Sequence, residues 1–212
     1  LVDAAGGFHC SEDADSEGVE GKYYVWSPEE VEQVLGTESA RDFCVVYDIS
    51  EKGNFEGKSI PNLPRSISDW SEDMSVDEQE LAALLAGYRE NLRVARDQRV
   101  HPGRDDKVIT AWNSMMIKAL SVAGAVLDQP AYLDAAERAA DFLLTQMTRE
   151  DGRLLHAFRA GQAHLDAFVD DYAYTIEAFI SLFESTGRSR WIGRAVKLAD
   201  SMIEHFEDRN SG

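Results

Sequence analysis

Aspartates occur in adjacent pairs at two places in this chain, Asp105-Asp106 and Asp170-Asp171, each just ahead of an apolar, helically spaced run. Glycoside chemistry needs two carboxylates: one protonated to donate, the other ionised as base or nucleophile. Crowded carboxyls push one another's pKa upward, which keeps an acid available near neutrality. The same residues have a structural reading, because Asp is a favoured helix N-cap and complements the helix dipole by about 0.3–1 kcal/mol. One Asp per helix is covered by that reading. Two in a row, twice, leaves a surplus, so Asp106, Asp170 and Asp171 are the acid–base candidates.

Aromatic residues flank these acids. Trp112 lies six positions after Asp106, Phe168 and Tyr172 bracket the second pair, and Tyr23, Tyr24 and Trp26 follow an acidic stretch near the N-terminus. Such rings stack on the apolar faces of sugars but also fill helical cores, and Trp112 at helical spacing with Met116 reads first as core. Asn113 and Glu177 are polar among apolar neighbours, so each is either exposed or directed into a cavity. His156 and His164 are acid–base groups or, as the simpler reading, structural or exposed histidines.

The acidic stretch lies in GGFHCSEDADSEGVEGKYYVW, residues 6–26. Asp13, Asp15, Glu17 and Gly18 match the opening of a calcium loop, but its twelfth position, where a bidentate Glu is needed, is Tyr24. His9 and Cys10 beside Glu12 lack a second Cys/His pair at zinc spacing. No metal site and no cofactor are expected.

With 212 residues, 44% of them hydrophobic, the chain can bury a real core, and it reads as a single helical domain, 1–212. A net charge of −18 argues against a phosphate-backbone partner, so no nucleic acid is expected. Cys10 and Cys44 make no disulfide framework and no C-x-x-C, and a cytoplasmic setting is the default. No apolar run has the length of a membrane span, and no signal peptide is visible. The start at Leu1 and the loop-like end, Arg209-Asn210-Ser211-Gly212, suggest a piece of something longer.

The elements that must position the candidates are mostly helices. Ser27-Pro28-Glu29-Glu30 is a capped helix start, closed by Gly36. A short apolar segment, Phe43 to Ile49, leads into a turn-rich loop from Gly53 to Pro64. Ser75 with Glu78 reads as a second capping box opening a helix to about Arg99. Four further helices are expected near 107–126, 131–148, 172–185 and 190–206. Between the second and third of these, residues 153–158 and 163–166 flank a turn at Gly161 like a hairpin.

These four helices repeat. Matching Asp105-Asp106 to Asp170-Asp171 gives an offset of 65 for the first helix of each pair, and matching Tyr132 to Trp191 gives 59 for the second. Repeated two-helix units of this size predict an all-α array of αα-hairpins, either a solenoid or a closed α/α toroid.

Four segments occur in order: GGFHCSEDADSEGVEGKYYVW, GNFEGKSIPNLP, RDDKVITAWNSMMIKAL and FVDDYAYTIEAFISLFESTG. Together they resemble the thioredoxin-domain-containing family typified by spermatogenesis-associated protein 20, from near Gly6 to near Phe206. The resemblance implies part of an (α/α)6 toroid, similar to six-hairpin glycosidases and N-acylglucosamine 2-epimerases, with a thioredoxin-like domain upstream and further helices downstream. The positions matching family signatures are Asp13, Asp15, Asp106 with Lys107, Trp112 with Asn113, and Asp170, Asp171 and Tyr172. Ser114 departs from the Gly frequent in relatives.

Two readings follow. In one, the chain belongs to a carbohydrate-active enzyme, glycosidase-like or sugar-epimerase-like. Asp106, Asp170 and Asp171 would be its acid–base groups at the toroid mouth, and Asp13, Asp15, Trp26, Trp112, Asn113 and Tyr172 would hold a sugar. In the other, it is a non-catalytic scaffold or protein-binding module serving a thioredoxin-like domain. An incomplete toroid would also expose an apolar edge open to self-association.

Overall fold

The structure, a computed structural model, describes residues 1–208. In chain order come strands β1 (Ser11–Glu12), β2 (Asp15–Ser16) and β3 (Val19–Glu20), then helices α1 (Pro28–Leu35), α2 (Thr37–Val46), α3 (Ile67–Met74) and α4 (Glu78–Arg96). Strands β4 (Arg104–Asp105) and β5 (Val108–Ile109) precede helices α5 (Thr110–Val126) and α6 (Pro130–Gln146). Strands β6 (Leu155–Arg159) and β7 (Gln162–Asp166) lead to helices α7 (Val169–Thr186) and α8 (Ser189–Phe206). Within the single domain expected, two compact units are distinguishable: Asp13–Gly103, and Leu1–Glu12 with Arg104–Gly212. Among the described residues no helix is long and apolar enough to cross a membrane.

In the unit Asp13–Gly103 the first capping box forms as expected. Ser27 Oγ accepts from Glu30 N at 3.3 Å and Glu30 Oε2 accepts from Ser27 N at 2.9 Å, satisfying two amides that a helix start leaves open. Gly36, at φ 79°, ends α1 and leads directly into α2. Most of the expected apolar segment, Phe43 to Val46, is the last part of α2. Helix α3 is absent from the sequence-based elements, although Ser66 and Asp69 cap it reciprocally. Its end pulls Ser75 into the left-handed region at φ 55°, so Ser75 closes α3 and cannot open α4. Asp77 caps α4 instead, its Oδ1 accepting from Gln79 N and Glu80 N at 2.9 and 3.0 Å. Val31, Phe43, Val46, Leu81 and Leu85 form the core of this unit.

The other unit holds the four expected helices and the expected hairpin. β5 pairs with β6, and β6 with β7, all antiparallel, in a three-stranded sheet. α5 packs against α7, with α6 against α5 and α8 against α7. Contacts between α5 and α7 advance together, from Ala111–Asp171 through Ser114–Thr175 to Lys118–Glu177, so the two helices run in the same direction. Ile117, Leu143, Phe179, Leu182 and Trp191 are fully buried between the helices.

The observed repeat corrects the sequence alignment. α7 begins 59 residues after α5, and α8 begins 59 residues after α6, so one offset serves both helices. The 65-residue match of the Asp pairs is therefore out of register. Thr110 is the first residue of α5, whereas its supposed counterpart Thr175 lies in the second turn of α7. Asp105 belongs to β4, Asp106 follows it, and the residue preceding α5 is Ile109. Two identical residues ahead of generic apolar helices outweighed the helical register, which carries fewer distinctive letters.

α5 and α6 meet closely at Gly124. A Cβ built there would lie 2.7 Å from Leu133 Cγ and 3.1 Å from Leu133 N. Gly124→Ala, which on propensity alone would stabilise a helix by roughly 1 kcal/mol, should instead destabilise by about 1–3 kcal/mol through overpacking. Urea unfolding with an unchanged slope would read this loss directly, and a variant as stable as the parent would refute the close contact.

Candidate functional site

The site is built from the first turn of α7. Phe168, with extended backbone, precedes the helix, and Val169, Asp170 and Asp171 follow. An acidic residue in the third helical position can reach back to the preceding amide, and Asp171 does so: its Oδ2 accepts from Phe168 N at 2.9 Å. Phe168 has no acceptor to return, so the box is one-sided. Asp171 Oδ1 instead crosses to the neighbouring helix and accepts from Ala111 N, in the first turn of α5, at 3.0 Å. One side chain thus caps two parallel helices.

A third donor reaches the same carboxylate. His156 Nδ1, from β6, lies 2.8 Å from Asp171 Oδ2. The carboxylate already accepts from two amides, so the ring meets it as a donor, and Nδ1 carries the proton. This leaves Nε2 as the basic nitrogen of the neutral ring, on a side chain 24% exposed, whereas Asp171 has no exposure at all. Phe168 packs edge-on against the imidazole at 5.0 Å between centroids and is itself exposed. A carboxylate without solvent is costly unless hydrogen-bonded, and here all three partners are donors. An imidazole oriented by a buried carboxylate is a recurrent arrangement for moving protons.

The backbone opposite this imidazole is strained. The register pairs Leu155 with Asp166 and Ala157 with His164, which sets Leu165 across from His156. Leu165 has φ 61° and is exposed. A leucine in the left-handed region costs energy that local structure must offset, and such positions gather at functional sites.

Hydroxyls and an amide hold the frame. Thr175 Oγ1 and Ser114 Oγ lie 2.8 Å apart, so one donates to the other, and the second donates to its own helix's carbonyl, Asp171 O at 2.7 Å or Thr110 O at 2.8 Å. Thr110 Oγ1 donates to Leu155 O at 2.6 Å, tying α5 to the strand that bears His156. Asn113 accepts from Phe8 N at 2.7 Å and donates to Phe8 O at 3.0 Å, so its side-chain amide pairs with the N-terminal segment as a strand would.

No family model matches the chain. It is 30% identical to human spermatogenesis-associated protein 20 across a 246-residue alignment that takes in all of this chain and 31% of that protein. An uncharacterised protein of Caenorhabditis elegans is 31% identical over 224 residues, covering 91% of this chain and 31% of the other. The mouse protein of the same name as the human one is 28% identical over 246 residues, covering all of this chain and 31% of that protein. The chain spans about a third of the length of these relatives. Among solved structures, cellobiose 2-epimerase from Bacillus thermoamylovorans overlaps 99% of this chain and 52% of its own, at 14% identity and TM-score 0.48. Cellobiose 2-epimerase from Spirochaeta thermophila overlaps 50% of this chain and 27% of its own, at 17% identity and TM-score 0.46. Overlaps of this quality transfer no activity.

The remaining sequence candidates are distributed as follows. Asp170 is exposed in the first turn of α7. Asp106 is outside the α5 cap and pairs with Arg159 at 2.8 Å, while its carbonyl lies 3.0 Å from His9 Nδ1. Trp112, read first as core, is 53% exposed. Tyr172, expected to shape a pocket, is buried in the core, its hydroxyl accepting from Leu154 N at 3.1 Å. Glu177 is exposed and paired with Lys118. Asp13, Asp15 and Trp26 belong to the other unit. There Asp13 Oδ1 accepts from Asp15 N, the acidic stretch folds into the β2–β3 hairpin, and Trp26 is buried beneath the Arg99 guanidinium, 4.1 Å from its ring. Burial pushes both the Cys10 and Cys44 thiols up, with the Asp105 charge adding to Cys10, so neither is poised as a nucleophile.

Sequence reasoning gave His156 no partner, because its carboxylate is fifteen residues away across a strand-to-helix junction. The available signal was the acid at the third position of α7, whose preceding residue, Phe168, cannot reciprocate. Asp171→Ala should cost about 3–5 kcal/mol, since it strips a buried site of the acceptor for three donors, against about 1 kcal/mol for an ordinary cap. Denaturant unfolding checks this, and a loss near 1 kcal/mol would mean that the α5 and β6 contacts contribute nothing.

Proposed function

We propose that this chain carries the proton-handling part of a carbohydrate-active site, epimerase-like or glycosidase-like, with His156 as the acid–base residue and Asp171 as the group that positions it. The observation that carries this reading is the hydrogen bond from His156 Nδ1 to a carboxylate otherwise engaged by two helix amides. That contact fixes the tautomer and leaves Nε2 free to take or return a proton. Trp112 and Phe168 are exposed aromatics suited to a sugar's apolar face: Trp112 adjoins Ala111, whose amide binds Asp171, and Phe168 packs on the imidazole. Asp170, exposed beside Asp171, is the second carboxylate available to such a site.

A second reading has its own observation. Both Asp171 oxygens serve helix amides, which is what a purely structural keystone in a non-catalytic array would also do. Turnover separates the two. Reducing mono- and disaccharides incubated with the protein in D2O should exchange a proton at the carbon beside the carbonyl, or be hydrolysed, as read by NMR. His156→Gln should lower that rate by a factor of 10²–10⁴, the usual contribution of one acid–base group, while its melting temperature stays within a few degrees of the parent. Absence of turnover on every sugar, or turnover unaffected by His156→Gln, would leave the keystone reading.

A further inference from the structure

In the unit Asp13–Gly103, arginines line one side of α4. Arg89, Arg93 and Arg96 are four and three residues apart and so share a helical stripe, in a chain whose net charge is −18. They form one side of a groove of about 490 Å³ that Trp26, Phe43 and Tyr47 also line. Phe43 and Tyr47 are stacked at 4.4 Å and are themselves buried, so they form its floor, while Pro61 and Ala86 give the groove an apolar wall.

The three guanidiniums are engaged unequally. Arg93 lies between two carboxylates, Glu90 at 2.7 Å and Asp97 at 2.6 Å, and its charge is matched. Arg89, exposed, donates to the neutral Tyr47 hydroxyl at 2.6 Å. Arg96 lies over the Tyr23 and Tyr24 rings at 5.2 and 5.7 Å, with Asp97 no closer than 3.9 Å. Its Nε is buried with no hydrogen-bond partner among the described residues. Buried donors are nearly always satisfied in folded proteins, so this N–H has capacity left for an acceptor.

We propose that this groove binds a small organic oxyanion, a carboxylate or phosphate on a compact apolar body, with Arg89 and Arg96 gripping the anion and the apolar wall of Pro61 and Ala86 meeting the body. The planar guanidinium fork matches both oxyanions in two-point geometry, which an ammonium does not. The volume falls in the ordinary range for small-ligand sites. The strongly negative chain disfavours a polyanion such as nucleic acid, whereas a single oxyanion needs only these side chains. This site is independent of His156.

Isothermal titration calorimetry with benzoate and phenyl phosphate tests it, with benzyl alcohol and inorganic phosphate as controls. Saturable binding of benzoate or phenyl phosphate is expected, and the tighter of the two identifies the oxyanion. Arg89→Gln and Arg96→Gln should each weaken binding tenfold or more, the Lys variants should restore it only in part, and Arg65→Gln, outside the groove, should leave it unchanged. Should Arg96→Gln fail to fold by circular dichroism, Arg89→Gln, an exposed position, carries the test. Absence of saturable binding by both anions, or equal binding by the Gln variants, would overturn the proposal. So would benzyl alcohol or inorganic phosphate binding as tightly as phenyl phosphate or benzoate.

Discussion

A carboxylate sealed from solvent must find donors inside the protein, and Asp171 finds them in three separate elements. Two are the starts of α5 and α7, and the third is a strand residue. Helix starts present unpaired amides and the positive end of the dipole, so two of them can face one negative charge without competing for it. The arrangement has a geometric consequence. It requires α5 and α7 to lie side by side with their N-termini at the same end, which is the parallel packing observed.

Neighbouring polar groups extend this constraint. The chain from Thr175 through Ser114 to Thr110 and Leu155 O satisfies hydroxyls that would otherwise be buried unpaired, and it connects both helices to β6. Ser114 thus bridges two helices. In a low-dielectric interior each of these bonds is stronger than in water, and each missing partner costs more. The imidazole inherits its orientation from that frame: β6 is tied to α5 through Thr110, and Asp171 is held by both helices. A proton-transfer group benefits from such fixity, because misplacement by an ångström can cost a hundredfold in rate.

How much of this was legible in the sequence depends on the range of the interaction. The Ser27–Glu30 box, the β6–β7 hairpin around Gly161 and the four helices from α5 to α8 rest on local chemistry and were read with small shifts at their ends. The α3 helix was overlooked because Ser75, its left-handed C-cap, mimics an N-cap when followed three residues later by Glu78. The two Asp pairs looked equivalent, yet only Asp171 caps a helix, and it caps the very helix that Asp105-Asp106 precede. Asn113 and Phe8 are 105 residues apart, and no local pattern announces their pairing. Trp112 has core-like spacing, and its exposure follows from which face of α5 turns toward α7, a tertiary fact.

The most direct measurement is the tautomer of the His156 ring, read from ¹⁵N chemical shifts of imidazole-labelled protein at a pH where the ring is neutral. If Asp171 accepts from Nδ1, His156 will be protonated at Nδ1 with Nε2 bare, and Asp171→Asn will abolish that preference. A ring protonated at Nε2 in the parent protein would show that Asp171 does not orient His156, and both the frame and the chemistry built on it would have to be abandoned.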